Sequence, residues 1–244
     1  VENNGDVEMS TDWLRKKGIA KANKKSSRVA AEGLVGISKS DKLSCLIEVN
    51  AETDFVSKNK DFQNFLDNLL KIAVKNTYTL DQFLSSSYDQ NYNIKDALKN
   101  LIAKIGENIV IRRLAYLKID SEISKVGFYI HNKVTDNLGK IGCMVVGENN
   151  DDIDTEDLLK KIAMHISASK PLALHEDNLD KKLLEKEKEI FAEQLANSGK
   201  PKEILDKIID GKVKKFISEI TLLKQNWILD PSKTVSQILL DFND

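Results

Sequence analysis

Cysteine, proline, aromatic residues and long apolar runs are all scarce in this sequence. The two cysteines, Cys45 and Cys143, each lie in an apolar, strand-like run, and neither sits at ligand spacing from a histidine. That argues against a disulfide framework and a Cys/His metal centre. It predicts two buried thiols in a reducing compartment, with one long-range disulfide as the minor alternative. No apolar run approaches the roughly 18 residues of a membrane span, and no signal peptide is present. No membrane partner is therefore expected. Charge of one sign is missing too: 37 Lys+Arg against 38 Asp+Glu in 244 residues leave a net charge of −1. The whole molecule thus gives no electrostatic reason to bind nucleic acid or an anionic surface. The 3 prolines, Pro171, Pro201 and Pro231, all read as punctuation between elements.

Catalytic signatures are equally scarce. His131, His165 and His175 are far apart, and none shares metal-type spacing with Cys, Asp or Glu. Asn137-Leu-Gly-Lys140 and Asn197-Ser-Gly-Lys200 lack the upstream glycine and following Ser/Thr of a phosphate loop. The acidic segment 148–157 is faintly like a calcium loop, but Asp157 stands where the loop needs glycine. A capped, acid-rich helix start explains it better. The sequence reads as a binding protein, not an enzyme, with no metal and no cofactor. The basic run from 12 to 28 keeps one alternative open, an adaptor or RNA-associated protein. Without interleaved aromatics after Trp13, a solvated face or linker fits that run better.

What is present is an α+β pattern: short antiparallel strands with helices to one side. Strand-like Gly33–Ile37 and Leu43–Val49 flank a polar turn at 38–42, and a helix over 62–75, capped by Asp61, follows. A second helix runs from Ile94 to Gly106, and a strand at 109–117 carries Arg112-Arg113, at least one of them facing outward. The scheme recurs with strands at 126–134 and 140–147 across a turn at 135–139, then a helix from about Thr155 to Ala168. Two amphipathic helices, His175–Asn197 and one returning from Pro201, predict an antiparallel hairpin or coiled coil, with Gly211 interrupting the second. The expected organisation is a helical remnant at 1–18, a linker at 19–32 and similar subdomains at 33–120 and 121–174. The hairpin would occupy 175–220, with 221–244 packing back on the core. The chain reads as a fragment.

The rest is organised around Glu48-Val-Asn-Ala-Glu-Thr-Asp-Phe-Val-Ser-Lys-Asn59, where a strand ends and a helix begins. Phe55 stands there among polar residues. It either folds back as a staple over the following helix or is offered to a partner.

Asn-x-Glu-Thr-Asp-Phe-Val resembles the signature of the translation elongation factor Ts family, guanine nucleotide exchange factors for elongation factor Tu. Further segments are similar to that family in the same order: Trp13–Gly18, Lys104–Ile109 with Arg112-Arg113, Ala163–Pro171, and Ser198–Pro201 with Gly211–Phe216. The resemblance implies a protein that loosens Mg²⁺ and GDP on its partner so that GTP replaces them, without binding nucleotide itself. It implies that Asp54 and Phe55, at the centre of Thr53-Asp54-Phe55-Val56, intrude near the metal site of the partner's G domain. Ile141, Gly142 and His165 are the further contacts it implies. It places the protein in a bacterial cytoplasm, or in a mitochondrial or plastid matrix if organellar, and leaves a homodimer open.

Overall fold

In strand β2 (Leu43–Ala51), Leu43, Cys45, Ile47, Val49 and Ala51 recur at period two and are all buried, because successive strand side chains point to opposite faces. The computed structural model describes Met9, Trp13, Ala20 and residues 24–121, 123–148, 155–196, 198 and 201–243. The helical remnant at 1–18, most of the linker and the basic run, the centre of the acidic segment, and Gly199-Lys200 of the expected hairpin turn lie outside the described residues. Two units, residues 1–163 and 164–244, make up the chain.

In the first unit, β1 (Glu32–Lys39), β2, β3 (Ile109–Lys118) and β5 (Leu138–Gly139) form an antiparallel sheet ordered β3-β2-β1-β5. The β2–β3 register shifts so that Glu48 faces Arg113 while Val49 faces Ile111. Arg112 is the extra residue of this bulge. Both arginines are exposed. Arg113 Nε donates to Glu48 at 2.6 Å, and Arg112 donates to Asn50 Oδ1 at 2.9 Å and to the Ala30 carbonyl at 3.0 Å.

The helices α1 (Lys60–Ala73), α2 (Leu80–Ser85) and α3 (Ile94–Ile105) share one core with β2. Phe62, Phe65, Leu66, Leu69 and Leu70 supply α1's part of it, at the helical spacing seen in the sequence. The cap of α1 is Asn59 and not Asp61. Asn59 Oδ1 accepts from the backbone of Asp61 at 2.8 Å and Phe62 at 3.3 Å, which frees Asp61 to pair with Lys104 at 2.7 Å. Gly106, at φ 90°, ends α3 in the left-handed conformation glycine allows.

The second pair, β4 (Ser124–His131) and β6 (Ile141–Glu148), is antiparallel. The stretch between them is more than a turn. Leu138 and Gly139 pair with Gly36 and Val35 of β1, and Leu138 is fully buried in the core of the first sheet. The strand–helix order recurs as expected, but the first sheet has four strands and the second two. Helix α4 (Glu156–Ser169) follows. A Cβ at Gly127 of β4 would lie 2.3 Å from the Leu159 carbonyl carbon and 2.4 Å from the Lys160 nitrogen. Glycine there lets the helix backbone touch the strand. The chain is α+β. Cys45 and Cys143 are free thiols, and burial pushes each up to about 11.

In the second unit, α5 (Lys181–Leu195) starts later than the sequence suggests. A short 3-10 turn, Glu176–Asn178, precedes it, and Asp180 caps it by accepting from Lys182 N at 2.9 Å. Helix α6 (Lys202–Ile220) pairs with it: Lys188 meets Asp210 at 3.4 Å, and the Lys212 ammonium lies 5.1 Å from the Phe191 ring centroid. Half-buried residues recur along both helices at spacings of three and four, Leu183, Leu184, Ile190, Phe191 and Leu195 on α5 and Leu205, Ile208, Val213, Phe216 and Ile220 on α6. Among the described residues, α5 buries no side chain fully and α6 buries Ile209. A small pair, β7 (Asn226–Trp227) and β8 (Asp230–Thr234), unread in the sequence, leads into α7 (Val235–Asn243).

Gly211 does not interrupt α6, which runs unbroken through it, and a Cβ there would meet nothing within 4 Å. Gly211→Ala is therefore expected to stabilise the chain by up to about 1 kcal/mol. Denaturant melts of the two proteins check this; an unchanged or lower midpoint would mean that the helix end, not its interior, limits its stability.

Candidate functional site

The 3-10 turn Asp54–Lys58 joins β2 to α1. Its side chains divide sharply. Val56 is 3% exposed and belongs to the core, while Phe55 beside it is 76% exposed. An aromatic ring held out in water while its aliphatic neighbour fills the core is not a staple. The exposed arm is Asp54-Phe55. Among the described residues, the Asp54 carboxylate makes no hydrogen bond or ion pair, so it does not hold the turn.

Other residues hold it from both ends. At the leading end, Glu107 accepts from Thr53 N at 2.9 Å and from Thr53 Oγ1 at 2.7 Å. Glu52 accepts in return from the Asn108 backbone at 2.6 Å. At the trailing end, Ser57 is buried and its hydroxyl donates to the Gly33 carbonyl at 3.2 Å, while Gln63 Nε2 donates to the Ser57 carbonyl at 2.8 Å. Lys140 Nζ reaches Glu32 at 3.0 Å and Ser57 Oγ at 3.4 Å. Lys140 thereby ties the start of β6 to the corner, and Ile141, the next residue, is 41% exposed. Gly142 has a packing task. A Cβ there would sit 3.1 to 3.3 Å from Val35, Leu46 and Ile37, so β6 approaches the first sheet closely at this point.

His165, in the second unit, has no exposed surface. Nδ1 lies 3.3 Å from the Ile228 amide, which donates to it. Nε2 therefore carries the proton and donates to Gln225 Oε1 at 3.0 Å. The ring stacks on Trp227 with centroids 5.2 Å apart. Burial pushes its titration below the usual imidazole value, against a smaller opposing pull from the Gln225 hydrogen bond. Gln225 also donates to the carbonyls of Ser169 at 3.2 Å and Glu219 at 2.7 Å, joining the ends of α4 and α6.

Of the seven residues singled out in the sequence, the structure gathers Thr53, Asp54, Phe55 and Val56 on one corner, with Ile141 tethered to it through Lys140. Val56 and His165 have next to no side-chain surface to offer a partner. The core holds Val56, and Gln225 and Trp227 enclose His165. Glu107, Asn108, Gln225 and Trp227 were missed as supports. The available signals were the polar Gly106-Glu-Asn108 after a helix stop and an isolated Trp227 after the α6 helix.

No cluster of His, Cys, Asp or Glu fit for a metal occurs among the described residues. No helix among them is long and apolar enough to cross a membrane. The architecture presents an exposed aromatic corner braced at both ends.

The chain is similar to known proteins along nearly its whole length. A family model described as Elongation factor TS matches residues 52–244. Elongation factor Ts of Bartonella bacilliformis is 42% identical over 243 residues, covering 99% of this chain and 78% of that protein. Elongation factor Ts of Caulobacter vibrioides is 42% identical over 246 residues, covering 99% of the chain and 78% of the relative. That of Paracoccus denitrificans is 43% identical over 237 residues, with 97% and 78% covered. A family match over most of the chain, with relatives similar along nearly its whole length, carries one conclusion: the chain belongs to the elongation factor Ts family.

Proposed function

We propose that the protein is a nucleotide exchange factor that binds elongation factor Tu·GDP and speeds GDP release, so that GTP can take its place. The observation that carries the reading is Phe55, 76% exposed on a corner braced at both ends. Burying that ring in a partner is worth roughly 1.5–3 kcal/mol. Because the corner is already ordered, little of this is lost to fixing the loop on binding.

Phe55 enters the partner's G domain beside the elements that position Mg²⁺, and Asp54 meets the polar rim of the opening. Displacing a metal that bridges protein and phosphate weakens GDP, and linkage requires GDP to weaken the factor's hold by the same ratio. Ile141 adds apolar contact beside the corner. His165 acts indirectly, by fixing Ile228 and the segment ending in Leu229, which is 53% exposed. No covalent bond is made or broken by the chain, and it binds no nucleotide itself. Its place of work is the bacterial cytoplasm, in keeping with relatives that come from bacteria. The comparisons give the adaptor alternative no support.

The test is stopped-flow release of fluorescent GDP from elongation factor Tu. The release rate should climb with the concentration of this protein to a plateau well above the spontaneous rate. A rate that stays at the spontaneous value at every concentration ends the reading.

A further inference from the structure

Thr53 is the residue that should cap the 3-10 turn, yet it makes no cap hydrogen bond to the turn. Its hydroxyl is committed elsewhere, to Glu107 Oε1 at 2.7 Å, while its backbone N–H donates to the other oxygen of the same carboxylate at 2.9 Å. One carboxylate therefore sets both the height and the rotation of Thr53. Two hydrogen bonds to one charged group are among the stronger local restraints a loop has.

The segment carrying Glu107 is fixed in turn. Glu52 Oε1 accepts from Asn108 N at 2.6 Å, and Asn108 Nδ2 donates to the Arg28 carbonyl at 2.7 Å. Asn108 is 3% exposed. Segments 52–53 and 107–108 thus hold each other through reciprocal carboxylate contacts. The hydrogen bonds of the Glu107 carboxylate go to Thr53, the residue before the exposed pair. Glu107 acts one step back, through Thr53, on the direction in which Phe55 leaves the protein. The trailing anchor at Ser57 is independent of it, so the core packing of Val56 does not need the carboxylate.

We propose that Glu107 is a positioning residue for nucleotide exchange: by clasping Thr53 it holds Phe55 in the orientation that enters the partner. The proposal rests on the exchange reading above. The side-chain chemistry makes a specific forecast. A glutamine amide at 107 can accept from Thr53 N–H through its oxygen and donate to Thr53 Oγ1 through its nitrogen, so it preserves the clasp. Alanine removes both bonds, and Thr53→Val removes the hydroxyl half.

The experiment is a double-mutant cycle on the plateau rate of GDP release. Glu107→Ala should lower stimulation about tenfold, the effect of leaving the competent orientation about one-tenth populated. Glu107→Gln should stay within about twofold of wild type, with Thr53→Val between the two. In a Phe55→Ala background, Glu107→Ala should change nothing further, because there is no ring left to orient. Equal losses in both backgrounds, or a glutamine variant as poor as the alanine one, would overturn the proposal. Amide hydrogen exchange of the free chain gives the second readout. Glu107→Ala should speed exchange at Thr53 to Val56 and leave β1 protection unchanged; unaltered exchange at the corner overturns the proposal. If the wild-type chain fails to release GDP, the exchange reading falls, while hydrogen exchange still decides whether Glu107 holds the corner.

Discussion

Replacing Phe55 by alanine is expected to cut stimulated GDP release by about 10- to 100-fold, the rate equivalent of losing a buried phenyl ring. The fold should not notice. Phe55 is 76% exposed and outside the core cluster, so stability should stay within about 0.5 kcal/mol of wild type. That separation is what makes the substitution informative, because a loss of rate cannot be blamed on unfolding. Reciprocity sharpens it. If the ring is what couples the factor to the nucleotide, the variant's affinities for the empty and GDP-bound partner must converge by the same factor by which its effect on the partner's GDP affinity shrinks. Stopped-flow release gives the rate, and equilibrium titrations of the two partner forms with the factor, and of the partner with GDP in its presence and absence, give the two affinity ratios. A variant that releases GDP at the full rate removes Phe55 from the mechanism. A variant that loses rate while keeping the affinity ratio would show that the ring steers docking and does not expel the nucleotide.

The position of this corner was legible in the sequence, and its orientation was not. Strand alternation stops at Asn50 and helical spacing begins at Phe62, which forces a corner between them. A lone Phe among polar residues there fits a staple and a wedge equally well. What excludes the staple is Val56 taking the core position, with Glu107, 54 residues away, tying down Thr53. Non-local contacts of that kind leave no periodic trace. Caps show the same limit on a smaller scale. Asn59 and Asp61 are both good capping residues, and only the backbone conformation of Asn59 decides between them. Leu138-Gly139 lies in a stretch whose Asp, Asn and Gly read as a turn, and pairing with β1 depends on a partner strand about a hundred residues earlier. The strands and helices with long, regular apolar spacing, β2, α1 and α3, stand where that spacing puts them.

His165 is fully buried, and its titration offers the sharpest test of the packing around it. The native ring must be neutral, because Nδ1 accepts from Ile228 N and a proton there would face that N–H. In the unfolded chain it should take up a proton near the ordinary value of about 6.5. Since burial depresses the native value, the stability contributed by the neutral ring is complete above that ordinary value. It is lost as pH falls through it, because the unfolded state then binds a proton that the native state does not, with a slope of at most about 1.4 kcal/mol per pH unit. His165→Ala removes the ring from its stack on Trp227 and orphans the Gln225 and Ile228 polar groups. At neutral pH and above this should cost about 3 kcal/mol. The variant cannot show the histidine's acid loss, so the gap between the two proteins should narrow as pH is lowered from about 8 to about 5. Denaturant unfolding of both across that range measures it. Curves that stay parallel would mean that His165 accepts its proton in the folded state, and with it that the Ile228 amide is not what fixes the ring.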